Sequence, residues 1–242
     1  MPVSLSVIVP VYNEASSIAS LLQRLVQVEW PDNGQIQVIV VDDGSTDSTA
    51  QCVARFKKLH PQCNLIFLTH TENCGKGTAI RTALPYATGE YTVIQDGDEE
   101  YCPEDLAKML SEMMKRNLKV LYGSRYLGGG RRECSLYPTF YYGVRFLSLF
   151  TNLLYRQNIT DEATCYKMFR TDLLRSLKLK CRGFEFCPEV TARIARKGIR
   201  IEETAISYVP RSISDGKKIK ARDGLHAVWI LLKYRLKFSS QL

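Results

Sequence analysis

The sequence has no C-x-x-C pair: its eight cysteines (Cys52, Cys63, Cys74, Cys102, Cys134, Cys165, Cys181, Cys187) are scattered. That argues against disulfides and a structural zinc site, and for a reducing compartment. No G-x-G-x-x-G follows the first strand-like run. Pro10-Val11-Tyr12-Asn13-Glu14 stands there, so a dinucleotide hydride-transfer role loses its main support. A phosphate loop is missing too. Around NCGKGT, residues 73–78, His70 occupies the place of the first glycine and Gly77 follows Lys76, so a glycine-relaxed turn into a helix serves equally well. Residues 1–10 lack a basic n-region, and no signal peptide is expected. The three histidines, His60, His70 and His226, look isolated and form no expected ligand set. The longest apolar stretch, Pro138 to Tyr155, carries Gly143, Arg145 and Asn152, so it reads as a helix that is buried or lies on an interface, not one that spans. No DNA- or RNA-binding motif is present, and nucleic acid is not an expected partner.

What is present alternates. SLSVIVPVY, IQVIVV, NLIFL, YTVIQ and VLYGS read as strands. Between them lie helical spacings at Ile18, Leu21, Leu22, Leu25 and Val26, at Val53, Phe56 and Leu59, through TAIRTALPYA, and after Pro103 at Leu106, Met109, Leu110 and Met113. Continuously apolar strands alternating with helices predict an α/β fold with a mostly parallel sheet covered on both faces. The second half is less regular. FEFCPEVTARIARKG predicts a helix, IRIEETAISYVP a strand, and GLHAVWILLKYRLKF a terminal amphipathic helix. No repeat or linker interrupts the chain, so a single domain over 1–242 is expected, with a ligand-binding half at 1–126 and a second half at 127–242.

Charge is divided between those halves. Residues 1–120 hold 10 Lys+Arg and 15 Asp+Glu, net −5, and residues 121–242 hold 23 and 10, net +13. An acidic half suits a metal, and a basic half suits phosphates or an anionic surface; basic solvated helix faces are the plainer alternative. In open parallel sheets ligands bind beyond the carboxyl ends of the strands. Strand two ends in Asp42-Asp43-Gly44-Ser45-Thr46-Asp47. Ser45 or Asp47 could cap the next helix, but capping does not account for two consecutive acids, and such a carboxylate can bond a base or ribose. Strand four ends in Asp96-Gly97-Asp98-Glu99-Glu100. Four carboxylates so close repel one another unless a cation or solvent relieves them, and hard oxygen ligands in this number suit Mg2+ or Mn2+. The alternative is a solvated acidic loop.

The order IVPVYNE, VVDDGSTDST, ENCGKGTA, VIQDGDEEYCPEDL and GSRY, at successive strand ends, resembles family-two glycosyltransferases with the GT-A fold, a Rossmann-like nucleotide-diphospho-sugar transferase architecture. Within the family the chain is similar to dolichyl- or polyprenyl-phosphate sugar (mannosyl or glucosyl) synthases. That resemblance implies nucleotide contacts from Pro10, Tyr12, Glu14, Val41 and Asp43. It implies divalent-cation and diphosphate contacts from Asp96, Gly97 and Asp98, with Glu100 as a further oxygen ligand. Arg125 and the distal Arg211, Lys217 and Lys218 are implied to face the donor phosphates. Where the lipid-phosphate synthases commonly carry D-P-x-S-G-F, this chain has Asp161-Glu162-Ala163-Thr164-Cys165-Tyr166-Lys167.

The expected activity is metal-dependent, inverting transfer of a hexose from a GDP- or UDP-sugar, with a polyprenyl (dolichyl) phosphate as the acceptor. A lipid phosphate arrives as an anion and needs no general base. A sugar or protein hydroxyl acceptor would need one, and Asp161 is the candidate, although a turn-capping role suits it equally. A nucleotide-binding regulatory module without turnover is the rival from another class. The expected location is cytoplasmic, with peripheral contact at the cytoplasmic membrane face through Pro138–Tyr155 and the terminal helix, where Trp229, Tyr234 and Phe238 interleave with Lys233, Arg235 and Lys237. Packing of both segments as core helices is the alternative.

Overall fold

The computed structural model describes residues 3–127, 138–210 and 221–236. The first four strands are β1 (Val3–Val11), β2 (Gln35–Asp42), β3 (Leu65–Thr69) and β4 (Tyr91–Ile94). Between them lie helices α1 (Ile18–Gln27), α2 (Thr49–Leu59) and α3 (Lys76–Ala83). Then come α4 (Pro103–Lys115), β5 (Val120–Ser124), α5 (Pro138–Tyr155), β6 (Lys167–Arg170), α6 (Thr171–Ser176), α7 (Phe186–Arg196), β7 (Glu202–Ala205) and α8 (Ala221–Leu236).

Among the described residues the strands form one seven-stranded sheet in the order β3-β2-β1-β4-β6-β5-β7. It is parallel except for β6, which runs antiparallel to β4 on one side and β5 on the other. The central strands are apolar along their length because helices cover both faces: Val7, Ile8, Val9, Ile39, Val40, Val41, Val93 and Ile94 are all inaccessible to solvent. α1 buries Ile18, Leu21, Leu22 and Leu25 but leaves Val26, expected on the same face, exposed near its end, and α4 buries Leu106, Met109, Leu110 and Met113 as their spacing predicts.

Two elements differ from the sequence expectation. The strand predicted across 199–210 shrinks to β7, an edge strand bonded only to β5, whose five residues limit the pairing. The strand β6, KMFR, was not anticipated. It is four residues long with a charge at each end, too short for a period of two to declare itself.

The sheet's second half contains a buried polar cluster with charged members. Lys167, at the start of β6, is fully buried. Its ammonium donates to the Glu162 backbone carbonyl (2.8 Å) and lies 3.7 Å over the Tyr122 ring. Glu162 is equally buried, and neither of its carboxylate oxygens receives a hydrogen bond among the described residues. Burial pushes the Glu162 carboxyl up to about 7, against the pull of Lys167.

This carries a stability consequence. In the unfolded chain Glu162 loses its proton near 4.5, but in the folded protein it keeps it until about 7. The folded state therefore holds more protons in that window, and stability falls as pH rises through it. Above pH 7 the full difference, about 3 kcal/mol by the usual 1.36 kcal/mol per unit, opposes folding. The Glu162→Gln variant should show a flatter dependence of Tm on pH between 5 and 8 than the wild type, measured by differential scanning fluorimetry. Parallel curves would remove the neutral carboxyl.

Candidate active site

The polar clusters gather at the carboxyl ends of β1, β2 and β4, on one edge of the sheet. The β1 and β2 turns lock into each other. Asn13 has a left-handed backbone (φ 52°), and its N–H donates to Ser45 Oγ (2.9 Å) while its Oδ1 accepts the Thr46 N–H (2.8 Å). The Glu14 N–H donates to Thr49 Oγ1 (2.8 Å), and the Ala15 N–H to Asp47 Oδ2 (3.2 Å). Asp47 also accepts the Thr49 N–H (2.9 Å), closing a turn ahead of α2; the N-cap position is Ser48, which makes no side-chain cap bond, so the expected capping by Ser45 or Asp47 is corrected. Asp42 is spent on the turn itself, accepting from the backbone and hydroxyl of Ser45. Gly44 sits at φ +71°, and a Cβ there would fall 2.5 Å from the Glu72 backbone.

Asp43 points the other way, into the β3–α3 connection. It is buried, and its carboxylate accepts the N–H groups of Cys74 (3.0 Å) and Gly75 (2.7 Å). His70 Nδ1 lies 2.6 Å from Asp43 Oδ1, and His70 Nε2 lies 3.0 Å from Thr82 Oγ1. The expectation that His70 stands alone is therefore corrected: the ligand atoms of Asp43, His70 and Cys74 all lie within 4.8 Å of one another. No sequence pattern pointed to it, because the three residues come from two separate loops and share no motif.

The glycines of NCGKGT serve packing. A Cβ on Gly75 would lie 2.4 Å from the Arg182 carbonyl oxygen, and one on Gly77 3.0 Å from Cys181 and Arg182. That segment is held by Glu189 on α7, whose carboxylate accepts the N–H groups of Lys180 and Cys181 and bonds Arg193 and the Tyr234 hydroxyl of α8. Sequence reading passed over Glu189, since a single acid in a helical pattern gives no signal.

The loop after β4 carries the acidic run. Gly97 packs against β1, where a Cβ would meet Val11 Cγ1 at 2.7 Å, and its carbonyl accepts the Ser17 hydroxyl (2.9 Å). The same hydroxyl bonds the Glu14 carboxylate (3.0 Å). Asp96 is paired with the Lys76 ammonium, which also touches Cys165 Sγ (3.2 Å). Burial opposes both charges, but each partner outweighs it: the Asp96 carboxyl is lowered and the Lys76 ammonium raised from their ordinary values. Asp98 Oδ1 accepts the Glu100 N–H (3.2 Å), and Glu100 Oε2 accepts the Tyr208 hydroxyl (3.1 Å). Among the described residues Asp96, Asp98 and Glu100 do not converge as closely as the Asp43 group. As oxygen donors on one loop they fit Mg2+ or Mn2+ in type, and the ammonium of Lys76 stands against Asp96 as a cation would.

Arg125, just past β5, makes a two-pronged pair with Asp161: Nε and one terminal nitrogen each reach a carboxylate oxygen at 2.7 Å. Burial disfavours the charge, but Asp161 holds the guanidinium well above its ordinary value. Asp161 is fully buried with both oxygens engaged, and Glu203 fixes its loop by accepting from Thr160 and Asp161 N–H groups. Pro10 and Val41 face each other in register inside the β1/β2 pair and are buried, so only their backbones and the turn beyond are near the edge. Tyr12 lies on that turn, half-buried. Arg211, Lys217 and Lys218 lie outside the described residues.

The comparisons with known proteins agree with this geometry. The family model of glycosyl transferase family 2 matches residues 6–178. An undecaprenyl-phosphate mannosyltransferase of Micrococcus luteus is 28% identical, with 95% of this chain and 97% of that protein covered. A dolichyl-phosphate beta-glucosyltransferase of Trichomonas vaginalis is 25% identical over 90% of this chain and 68% of its own. In fold, the chain superposes on a mannosyltransferase of Pyrobaculum calidifontis solved with GDP-Man and Mn2+ (TM-score 0.63, 22% identity, covering 100% of this chain and 79% of that one). It also superposes on a glucosyl-3-phosphoglycerate synthase of Mycobacterium tuberculosis solved with Mn2+, UDP and phosphoglyceric acid (TM-score 0.65, 17% identity, covering 96% and 78%). The mixed sheet is the fold of the GT-A glycosyltransferases on which the chain superposes, and, with the family model matching most of its length, the chain belongs to glycosyl transferase family 2.

Proposed function

We propose that this glycosyltransferase moves a hexose from a nucleotide-sugar to a polyprenyl phosphate, with inversion, at the cytoplasmic face of a membrane to which it attaches peripherally. The observation that carries the acceptor is an apolar surface that starts beside Arg125. The Tyr126 ring meets that of Tyr141 at 5.5 Å, which brings the first turns of α5 next to the Arg125 end of the site. From there Tyr142, Phe146, Leu149 and Leu153, at helical spacing, are 58–78% exposed. α8 packs on α5 through Leu231 and Tyr155, and turns Leu225, Trp229 and Leu236 outward. Arg145, Arg222, Lys233 and Arg235 flank these stripes. Apolar burial and attraction to anionic lipid add, at about 1 kcal/mol for each basic residue near the surface. Among the described residues no helix is long and apolar enough to cross a membrane.

Asp161 supports the same acceptor. A carboxylate that is buried and doubly bonded to Arg125 is poorly placed to take a proton from a hydroxyl. An acceptor phosphate is ionised near neutral pH and needs no base. On the donor side, Asp43, Tyr12 and Glu14 line the nucleotide end, and Asp96, Asp98 and Glu100 would hold Mg2+ or Mn2+. When bound, the cation neutralises charge that develops on the departing diphosphate. Lys76 and Arg125 direct their positive charge to the same edge, and such fixed charges stabilise the leaving group without reorganising. Arg211, Lys217 and Lys218 complete that basic set in this reading.

The Asp98→Asn variant should keep its Tm but lose Mn2+-dependent binding of UDP or GDP by at least about tenfold, about 1.4 kcal/mol, in calorimetry. Equal Mn2+ dependence in both proteins would remove the metal role of Asp98.

The wild type should float with anionic liposomes at low salt and less at high salt. The Phe146→Glu, Leu149→Glu double variant should stay in the soluble fraction with an unchanged Tm. Absence of the wild type from the vesicles at low salt would move the acceptor to a soluble saccharide.

A further inference from the structure

We infer that Asp43, His70 and Cys74 form a second cation site, selective for a borderline-soft metal such as Zn2+ and distinct in chemistry from the carboxylate loop after β4. The donor set decides the selectivity. A thiolate and an imidazole favour Zn2+ and disfavour Mg2+ or Mn2+, which take oxygen ligands. The three ligand atoms lie within 4.8 Å of one another. Tetrahedral zinc with these ligands needs them about 3.3–3.6 Å apart, so the 2.6 Å contact of His70 Nδ1 with Asp43 Oδ1 widens as the ion takes the place of the shared proton.

The surroundings favour such a site. His70 presents Nδ1 to the Asp43 carboxylate while Nε2 is tied to Thr82 Oγ1 on α3. A hydrogen bond on the remote ring nitrogen is the usual support of a metal-binding histidine, because it fixes both ring orientation and tautomer. Asp43 is itself oriented by the Cys74 and Gly75 N–H groups. Asp43 and His70 are 4% and 13% exposed in their side chains, whereas Cys74 is exposed. The floor is therefore buried and hydrogen-bonded, and the thiol stands at the mouth, where an ion enters.

Binding forms Zn–S, Zn–N and Zn–O bonds, with water in the fourth position. The Cys74 thiol gives its proton to solvent. The imidazole binds through a bare Nδ1 and keeps its N–H on Nε2, donated to Thr82 Oγ1. The functional consequence rests on the proposed role of Asp43 as a nucleotide contact: an ion held by that carboxylate occupies the place the nucleotide needs. Zn2+ would then act as an inhibitor competing with the donor, whatever Mn2+ does at the other loop.

The test uses Co2+ as a spectroscopic probe of the full chain under reducing conditions, followed by Zn2+ displacement. The wild type should develop a thiolate-to-cobalt charge-transfer band that Zn2+ abolishes. Cys74→Ser should lose the band, and His70→Asn should weaken Zn2+ affinity at least tenfold, both with unchanged Tm. No band in the wild type, or an equal band in Cys74→Ser, would overturn the site, the latter assigning the metal to another cysteine. Calorimetry with UDP and GDP in Mg2+ separates the two readings. Zn2+ should weaken nucleotide binding in the wild type but not in Cys74→Ser. A cobalt band that Zn2+ abolishes, without any effect on either nucleotide, would leave the metal site standing and overturn Asp43 as the nucleotide contact.

Discussion

The carboxyl edge of the sheet concentrates negative charge, and the arrangement holds because the chain meets it with its own cations. Lys76 closes on Asp96, both partly buried, and Arg125 on the fully buried Asp161, where an unpartnered charge would cost several kcal/mol. Both cations come from loops that begin helices or end strands, so each pair also ties two segments of the rim together. Lys76 joins α3 to the loop after β4, and Arg125 joins the end of β5 to the loop before β6. Each pair lies within one half of the sequence as the charge divides it, Lys76–Asp96 in the acidic half and Arg125–Asp161 in the basic half.

The rim is supported from below by contacts without charge chemistry of their own. Glu189 gathers two backbone N–H groups, Arg193 and the Tyr234 hydroxyl. In this way it sets the segment around Arg182 against Gly75 and Gly77, where no side chain fits. The position of Lys76 is therefore determined by a helix far along the sequence, and the outer helix α8 is hydrogen-bonded into the same support.

The parallel part of the sheet was legible in the sequence because apolar strands such as IQVIVV and amphipathic helices such as α1 and α4 declare their periods over many residues. VVDDGSTDST and VIQDGDEEYCPEDL marked strand ends because the acids break those runs abruptly. The polar arrangement was less legible. Which of two adjacent acids faces the site depends on the turn: Asp42 satisfies Ser45 and Asp43 turns to His70, and both outcomes suit the same letters. His70, Glu189 and the Lys76 pairing arise from contacts between distant segments, which no local window contains. Strand β6 escaped because a four-residue strand flanked on both sides draws its stability from its neighbours and not from its own pattern.

The sheet order has a consequence for how the chain is assembled. β5 is made before β6 and β7, yet these are its two partners in the sheet. β1 to β4 can join as they emerge from synthesis, each beside a strand already made. β5 must wait, with its edges unpaired, until more than forty residues later Lys167, Met168 and Phe169 arrive to bridge it to β4. Contacts of such separation form late because the loop entropy is lost before the pairing repays it. Unpaired edges in the meantime are sites for aggregation. A polypeptide cut after GSRY would keep most of the acidic rim but leave β5 without a neighbour and Arg125 without Asp161.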